Sequence, residues 1–244
     1  LIIRQLTDSA FKEAPQGIPP FMKKGKFMYI YVTVINIFET KDQADSANKA
    51  EALVAKPKIY KKQVAEIEKD LADKKAQINT DSKIIEDYLA KNNIKAEKSK
   101  WGTYVAVITE GTGDKINNNN FATVNYTGRT LDSGKVFDSN VDPKFKHVQP
   151  YDVNLTELSG LILGWTDALM QMKKGTKATI YVPSSLGYGV QGNGGIIKPN
   201  DILVFDIDVL DVLTEETMMA KQKAMQEEMM KKAQEGKNQQ PPVD

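Results

Sequence analysis

Apolar residues along this chain fall into three patterns. The run Phe27-Met28-Tyr29-Ile30-Tyr31-Val32-Thr33-Val34-Ile35-Asn36-Ile37 is rich in aromatic and β-branched residues and has strand character. Leu203-Val204-Phe205-Asp206-Ile207-Asp208-Val209-Leu210-Asp211-Val212 reads the same way, and a turn precedes each run: Gly17-Ile18-Pro19-Pro20 in one case, Gly195-Ile196-Ile197-Lys198-Pro199 in the other. The two stretches form an internal repeat, or else the first is an unrelated hairpin with a Pro-Pro turn. As a repeat, residues 1–40 are the back half of a module whose other copy occupies residues 96–213, and Leu1-Ile2-Ile3-Arg4 belongs to a strand. On that reading the chain is the remainder of a longer precursor.

Residues 41–95 have a different pattern: Ala, Lys, Glu, Asp and Gln dominate and glycine is absent, which predicts a helical spacer. Tyr60, Val64, Ile67, Leu71 and Ile78 recur at spacings of four, three, four and seven, a narrow apolar stripe on a charged rod. Pro57 predicts a break near its start, and Asn79-Thr80-Asp81 an N-cap for a further helix carrying Ile84, Ile85, Tyr88 and Leu89. Such a stripe is buried against the same chain or against a second copy, in a homodimer through residues 41–95.

The third pattern spans residues 96–213. Trp101–Ile108, Phe121–Thr127 and Ala178–Val182 read as short strands, and Leu161–Leu169 as a short helix with Gly175 beyond its end. Many short strands and one short helix predict an α+β fold, an antiparallel sheet wrapped over that helix. Residues 214–244 predict a helical tail with Met218, Met219, Met225, Met229 and Met230, ending in a disordered Gln239-Gln240-Pro241-Pro242 segment. Met-rich surface suits promiscuous apolar partners, though a plain terminal helix explains the pattern as well.

Composition narrows the chemistry. Lys plus Arg (33) nearly cancels Asp plus Glu (32), so no strong field draws the chain to nucleic acid or an anionic bilayer. Cysteine is absent and His147 is the single histidine, which excludes Cys/His zinc sites and thiol nucleophiles. His147 sits in Lys144-Phe145-Lys146-His147 with no nucleophile elbow nearby and reads as a surface-loop residue. No stretch reaches the roughly 20 apolar residues of a membrane span, and no basic-then-apolar signal opens the sequence.

Five short motifs then stand in order: Val124-Asn125-Tyr126-Thr127-Gly128, Gly134-Lys135-Val136-Phe137-Asp138-Ser139, Gly164-Trp165, Gly187-Tyr188-Gly189 and Leu203-Val204-Phe205-Asp206. Individually each is commonplace. Together they resemble the FKBP-type peptidyl-prolyl cis-trans isomerases, over roughly residues 100–213. The resemblance implies rotation about X-Pro bonds of polypeptide clients, macrolide inhibitor binding, and no metal or cofactor. It implies a pocket with Trp165 as the indole floor, and Tyr126, Phe137, Tyr151, Ile162 and Phe205 as walls. Tyr188 is implied as a donor to a substrate carbonyl, the backbone N–H of Ile162 as a second donor, Asp138 as an orienting group at the rim, and Leu161 as a substrate contact. Ile196 and Ile197 are implied to close the mouth.

Such a pocket needs no nucleophile, which suits a sequence with almost none to activate. Some positions depart from the family pattern: Tyr151 stands where Phe is usual, Asn193 where His is frequent, and Val153 replaces a common second aromatic. The first copy of the repeat has Ala10-Phe11-Lys12 where the second has Gly-Tyr-Gly, so it is not expected to be catalytic. Two functional classes follow: a prolyl isomerase acting in protein folding, or a proline-directed binding module or chaperone whose helices and Met-rich tail supply most contacts. Two-module isomerases with helical spacers resemble exported bacterial folding factors, which makes the cell envelope or periplasm the expected location, the cytoplasm being the alternative.

Overall fold

The computed structural model describes residues 2–12, 18–158 and 160–237, with side chains as far as residue 231. Gly17 of the first turn, Ser159 and the Gln239–Pro242 end lie outside the described residues. The chain divides into two compact units, Leu1–Pro57 and Lys58–Asp244.

In the first unit, strands β1 (Ile2–Leu6) and β2 (Phe27–Tyr31) pair antiparallel, with a one-turn helix α1 (Thr7–Ala10) directly after β1. Thr7 is buried and fastens the connection: its N–H donates to Lys26 O at 2.9 Å and its hydroxyl to Lys23 O at 3.0 Å. Asp8 accepts from Gly25 N at 2.7 Å, inside a turn that Gly25 makes at φ +69°. Most of the apolar side chains of this hairpin are exposed, among them Ile2, Phe27, Tyr29 and Tyr31.

Helix α2 (Lys41–Asp73) passes through Pro57 without interruption, so the break expected there is absent. It falls instead at Lys74, before α3 (Lys75–Lys91). Asn79-Thr80-Asp81 lies inside α3 and caps nothing. Asp81, only 1% exposed, uses its carboxylate in a tertiary anchor, accepting from Ser184 N at 2.8 Å, Ser184 Oγ at 2.6 Å and Gln77 Nε2 at 2.8 Å.

The second unit continues with β3 (Glu97–Lys98), β4 (Tyr104–Thr109), β5 (Asn120–Thr130), β6 (Val136–Ser139), β7 (Tyr151–Asn154), α4 (Leu163–Leu169), β8 (Lys177–Val182), β9 (Leu203–Thr214) and α5 (Glu215–Lys237). The strands form one antiparallel sheet in the order β3-β4-β8-β9-β5-β6, with β7 on β5. Alternation along the strands feeds two cores. Val105, Ile180, Leu203 and Phe205 turn toward α4 with Trp165, Ala168 and Leu169, whereas Tyr104, Ala106, Tyr181 and Val204 turn the other way and bury Ile85 and Leu89 of α3. The sheet is thus covered on both faces. Of the apolar stripe, Leu71 of α2 is in the α4-side core, with Ile67 of α2 and Ile78 of α3 packed against it. Helix α5 docks through buried Met218 and through Lys221, whose ammonium meets the Asp152 carboxylate at 2.7 Å.

Two further boundaries differ from expectation. Trp101-Gly102-Thr103 is not strand. It is a turn clamped by buried Asp167 of α4, which accepts from Trp101 N and Thr103 N at 3.1 Å each and from Ser99 Oγ, with Gly102 at φ +117°. The second compact unit also begins at Lys58, well before residue 96, and α3 contributes to its core.

The two units share a hairpin. Leu6 pairs with Phe27 and Val182 with Leu203, twenty-one residues apart in both, and each first strand runs into a short helical turn, Thr7–Ala10 or Ser184–Leu186.

Candidate functional site

Helix α4 can reach the sheet because its second residue is Gly164: a Cβ there would stand 2.3 Å from Val182 Cγ1. That close approach sinks Trp165, next along the helix and 3% exposed, into the sheet's concave side. Four rings meet the indole or one another edge-on. Centroid distances from Trp165 are 5.0 Å to Tyr126, 5.3 Å to Phe205 and 6.4 Å to Tyr151, and Phe137 lies 5.6 Å from Phe205. Edge-to-face contact suits the ring quadrupoles and stabilises such a box beyond its area burial. Gly128 on β5 makes room for it, since a Cβ there would lie 2.7 Å from both Phe137 and Phe205.

The rings enclose a hollow of about 570 Å³. Of the residues expected from sequence, Tyr126, Phe137, Asp138, Tyr151, Leu161, Ile162, Trp165, Tyr188 and Phe205 all line it. Trp165 and Tyr188 therefore face one space. Ile162 is the N-cap of α4, in extended conformation at φ −63° and ψ 138°, its carbonyl accepting from Trp165 N at 3.1 Å. Ile196 and Ile197 line an adjoining hollow of about 220 Å³ with Phe137, Asp138 and Tyr188. Only Ile196 is at the mouth, half-exposed; Ile197 is buried, held by paired backbone bonds with Asn193 at 2.8 and 3.1 Å. The expectation that both close the mouth is corrected accordingly.

Tyr188 follows the anchored Ser184–Leu186 turn, and the loop after it reverses at Gly189, φ +56°, whose carbonyl accepts from Asn200 N at 2.8 Å. Asp138 is gripped from three sides, by Tyr126 Oη at 2.6 Å, its own Ser139 N at 2.9 Å and His147 Nε2 at 2.8 Å. Burial, reinforced by the hydrogen bond to this carboxylate and by its negative charge, holds the Tyr126 phenol well above the ordinary tyrosine range. Asn140 ties the loop down by accepting from Tyr126 N at 2.7 Å and donating to Gln149 O at 2.9 Å.

His147 is an exposed loop residue, as its sequence implies, and it also bonds Asp138. The two are nine positions apart, with the end of β6 and a short helical turn at Pro143–Phe145 between them, and no local pattern signals their meeting. Lys74 is a second residue that sequence reasoning missed: it lines the same hollow from the α2–α3 junction.

A ring-lined hollow over an indole, where an antiparallel sheet wraps one short helix, is the arrangement that the FKBP resemblance implies. The profile of FKBP-type peptidyl-prolyl cis-trans isomerase matches residues 113–210. The FK506-binding protein of Neisseria meningitidis serogroup B is 35% identical over 111 residues, 46% of this chain and 96% of that protein. A probable FKBP-type peptidyl-prolyl cis-trans isomerase of Haemophilus influenzae is 41% identical over 111 residues, 46% of this chain and 43% of that protein. The outer membrane protein MIP of Legionella longbeachae is 36% identical over 159 residues, covering 61% of this chain and 64% of that protein. This chain belongs to the FKBP-type peptidyl-prolyl cis-trans isomerase family. It spans about half the length of the longer curated relatives it matches.

Proposed function

We propose that the chain is a peptidyl-prolyl cis-trans isomerase that accelerates rotation of X-Pro bonds in polypeptides. The observation that carries this reading is the hollow itself: an indole floor, four more rings around it, and a phenol at its edge facing the same space. The uncatalysed barrier is about 20 kcal/mol, because the C–N bond must lose its partial double-bond character. The planar amide carries more charge separation than the twisted one. Wrapping the prolyl ring in apolar rings removes the water that favours the planar form, and each 1.4 kcal/mol of preference for the twisted form is worth about tenfold in rate.

In this reading the prolyl ring rests on Trp165 between Tyr126, Phe137 and Phe205, with Tyr151, Leu161 and Ile162 along the side. The Tyr188 hydroxyl donates to one substrate carbonyl and Ile162 N–H to another, so one half of the amide is held while the other turns. Asp138 fixes the Tyr126 ring by accepting its hydroxyl hydrogen bond. A macrolide ring system would occupy the same hollow.

The repeated hairpin supports reading residues 1–40 as the closing half of a second, non-catalytic FKBP-like module. Residues 41–95 then serve as its spacer and 214–244 as a tail. The Legionella relative's description supports an envelope location. Among the described residues no helix is long and apolar enough to cross a membrane.

The test is cis-to-trans exchange of short Xaa-Pro peptides followed by NMR with the full chain, beside Trp165→Ala and Tyr188→Phe. Loss of catalysis in both variants supports the enzyme; catalysis surviving in Trp165→Ala defeats it. The chaperone reading draws on one observation, the exposed Met219, Met225, Met229 and Met230 of α5. It requires both variants to keep suppressing client aggregation.

A further inference from the structure

A second hollow of about 280 Å³ adjoins the one over Trp165 on its Tyr188 side, lined by Lys74, Gln77, Ser185, Tyr188, Gln191 and Asn200 among others. Lys74, Ser185, Gly187 and Tyr188 border both spaces, so a chain lying across the first runs on into the second. One wall of this extension comes from outside the sheet-and-helix module. Lys74 is the junction of α2 and α3, and Gln77 is in the first turn of α3.

That wall is fixed to the loop carrying Tyr188. Gln77 donates to Asp81 at 2.8 Å, and buried Asp81 accepts twice from Ser184, four residues before the phenol. Among the described residues, Lys74 is the only charged one lining the second hollow, the others being neutral polar or apolar. Its ammonium touches Asp70 at 2.7 Å, a pair in which both side chains are about half exposed. An exposed i,i+4 pair of this kind is weak and exchanges readily for another carboxylate. Asp138, the other charged residue lining the larger hollow, has the opposite sign.

We propose that the Lys74–Gln77 wall forms a subsite for a residue flanking the substrate proline, and that it selects an acidic side chain there. This rests on the isomerase reading and deepens it: the helical spacer becomes part of the substrate groove. An acidic side chain bonds to the Lys74 ammonium and displaces Asp70. A basic one meets the ammonium as a like charge.

The experiment is NMR exchange on acetyl-Ala-Xaa-Pro-Yaa-Ala-amide peptides at low ionic strength, with Glu, Gln or Lys in turn at Xaa or at Yaa. The unaltered chain is compared with Lys74→Glu and Lys74→Gln, whose thermal melts verify folding. At one of the two positions, kcat/KM for Glu is expected to exceed that for Lys by about three-fold, the size of a single exposed ion pair. Lys74→Glu inverts the ratio and Lys74→Gln brings it toward one. A ratio of one in the unaltered chain, or the same ratio in all three proteins, overturns the subsite. Absence of catalysed exchange on the Gln peptides with the unaltered chain instead sinks the isomerase reading, so the two failures are distinct.

Discussion

His147 Nε2 meets Asp138 Oδ1 at 2.8 Å, while the second carboxylate oxygen accepts from Tyr126 at 2.6 Å. The single histidine of the chain thus steadies the carboxylate that holds one wall of the pocket. His147→Ala is expected to lower kcat/KM by about two- to five-fold, the scale of one partly exposed hydrogen bond, with little change in melting temperature. Asp138→Ala removes the grip on Tyr126 itself and is expected to cost more. Peptide exchange kinetics beside thermal melts check both.

Alkaline stability reports on the same wall. The folded state binds the Tyr126 proton more tightly than the unfolded state, because burial and Asp138 both disfavour the phenolate. The stability from this group is therefore fully present below the unfolded phenol value near 10 and lost as pH rises through the higher folded value. Tyr60 and Tyr181 are raised too, chiefly by burial, and add to the slope. Urea unfolding between pH 9 and 11 is expected to show falling stability, and Tyr126→Phe a shallower fall.

Asp81→Ala leaves the Ser184 N–H and hydroxyl without their acceptor in a buried position. A loss of about 2–4 kcal/mol is expected for two such donors. Chemical denaturation measures it. Because Ser184 leads into the Tyr188 turn, catalysis should fall under conditions in which the variant is still folded.

Gly164→Ala would drive a methyl group into Val182, whose Cγ1 lies 2.3 Å from the added carbon. Overpacking of this kind costs about 1–3 kcal/mol. The double variant Gly164→Ala, Val182→Ala should recover part of the loss in a double-mutant cycle.

A fragment beginning at residue 96 lacks α3 and bares Tyr104, Tyr181, Ile202 and Val204 on the outer face of the sheet. It is expected to aggregate or melt well below a fragment beginning at Lys58. Light scattering and calorimetry on the two distinguish them. Equal melting temperatures would mean that α3 adds nothing to the second unit.

Strands β5, β8 and β9 and helix α4 were legible because their patterns are local: alternating apolar residues, a glycine beyond the helix, and motifs whose spacing survives without partners. The pocket was legible for the same reason, each wall residue sitting within a short motif. What escaped were decisions made across the fold. Asn79-Thr80-Asp81 has the composition of a cap, yet Asp81 finds better acceptor work at Ser184, 103 positions away. Trp101–Thr103 has strand composition, but Asp167 draws its backbone N–H groups away from any ladder. Pro57 lies within a helix because its neighbours on both sides are strong helix formers. Lys74 reaches the pocket from a helix junction and His147 reaches Asp138 from a loop, and nothing in their own neighbourhoods announces it.

The absent side chain at Gly164 sets how low the indole sits. A ring entering the hollow settles to a depth decided beneath the floor, by a contact between α4 and Val182 that no substrate touches. Pocket geometry here is governed from below as well as from the walls, and variation at that hidden contact would tune which rings fit without altering a single residue in view of them.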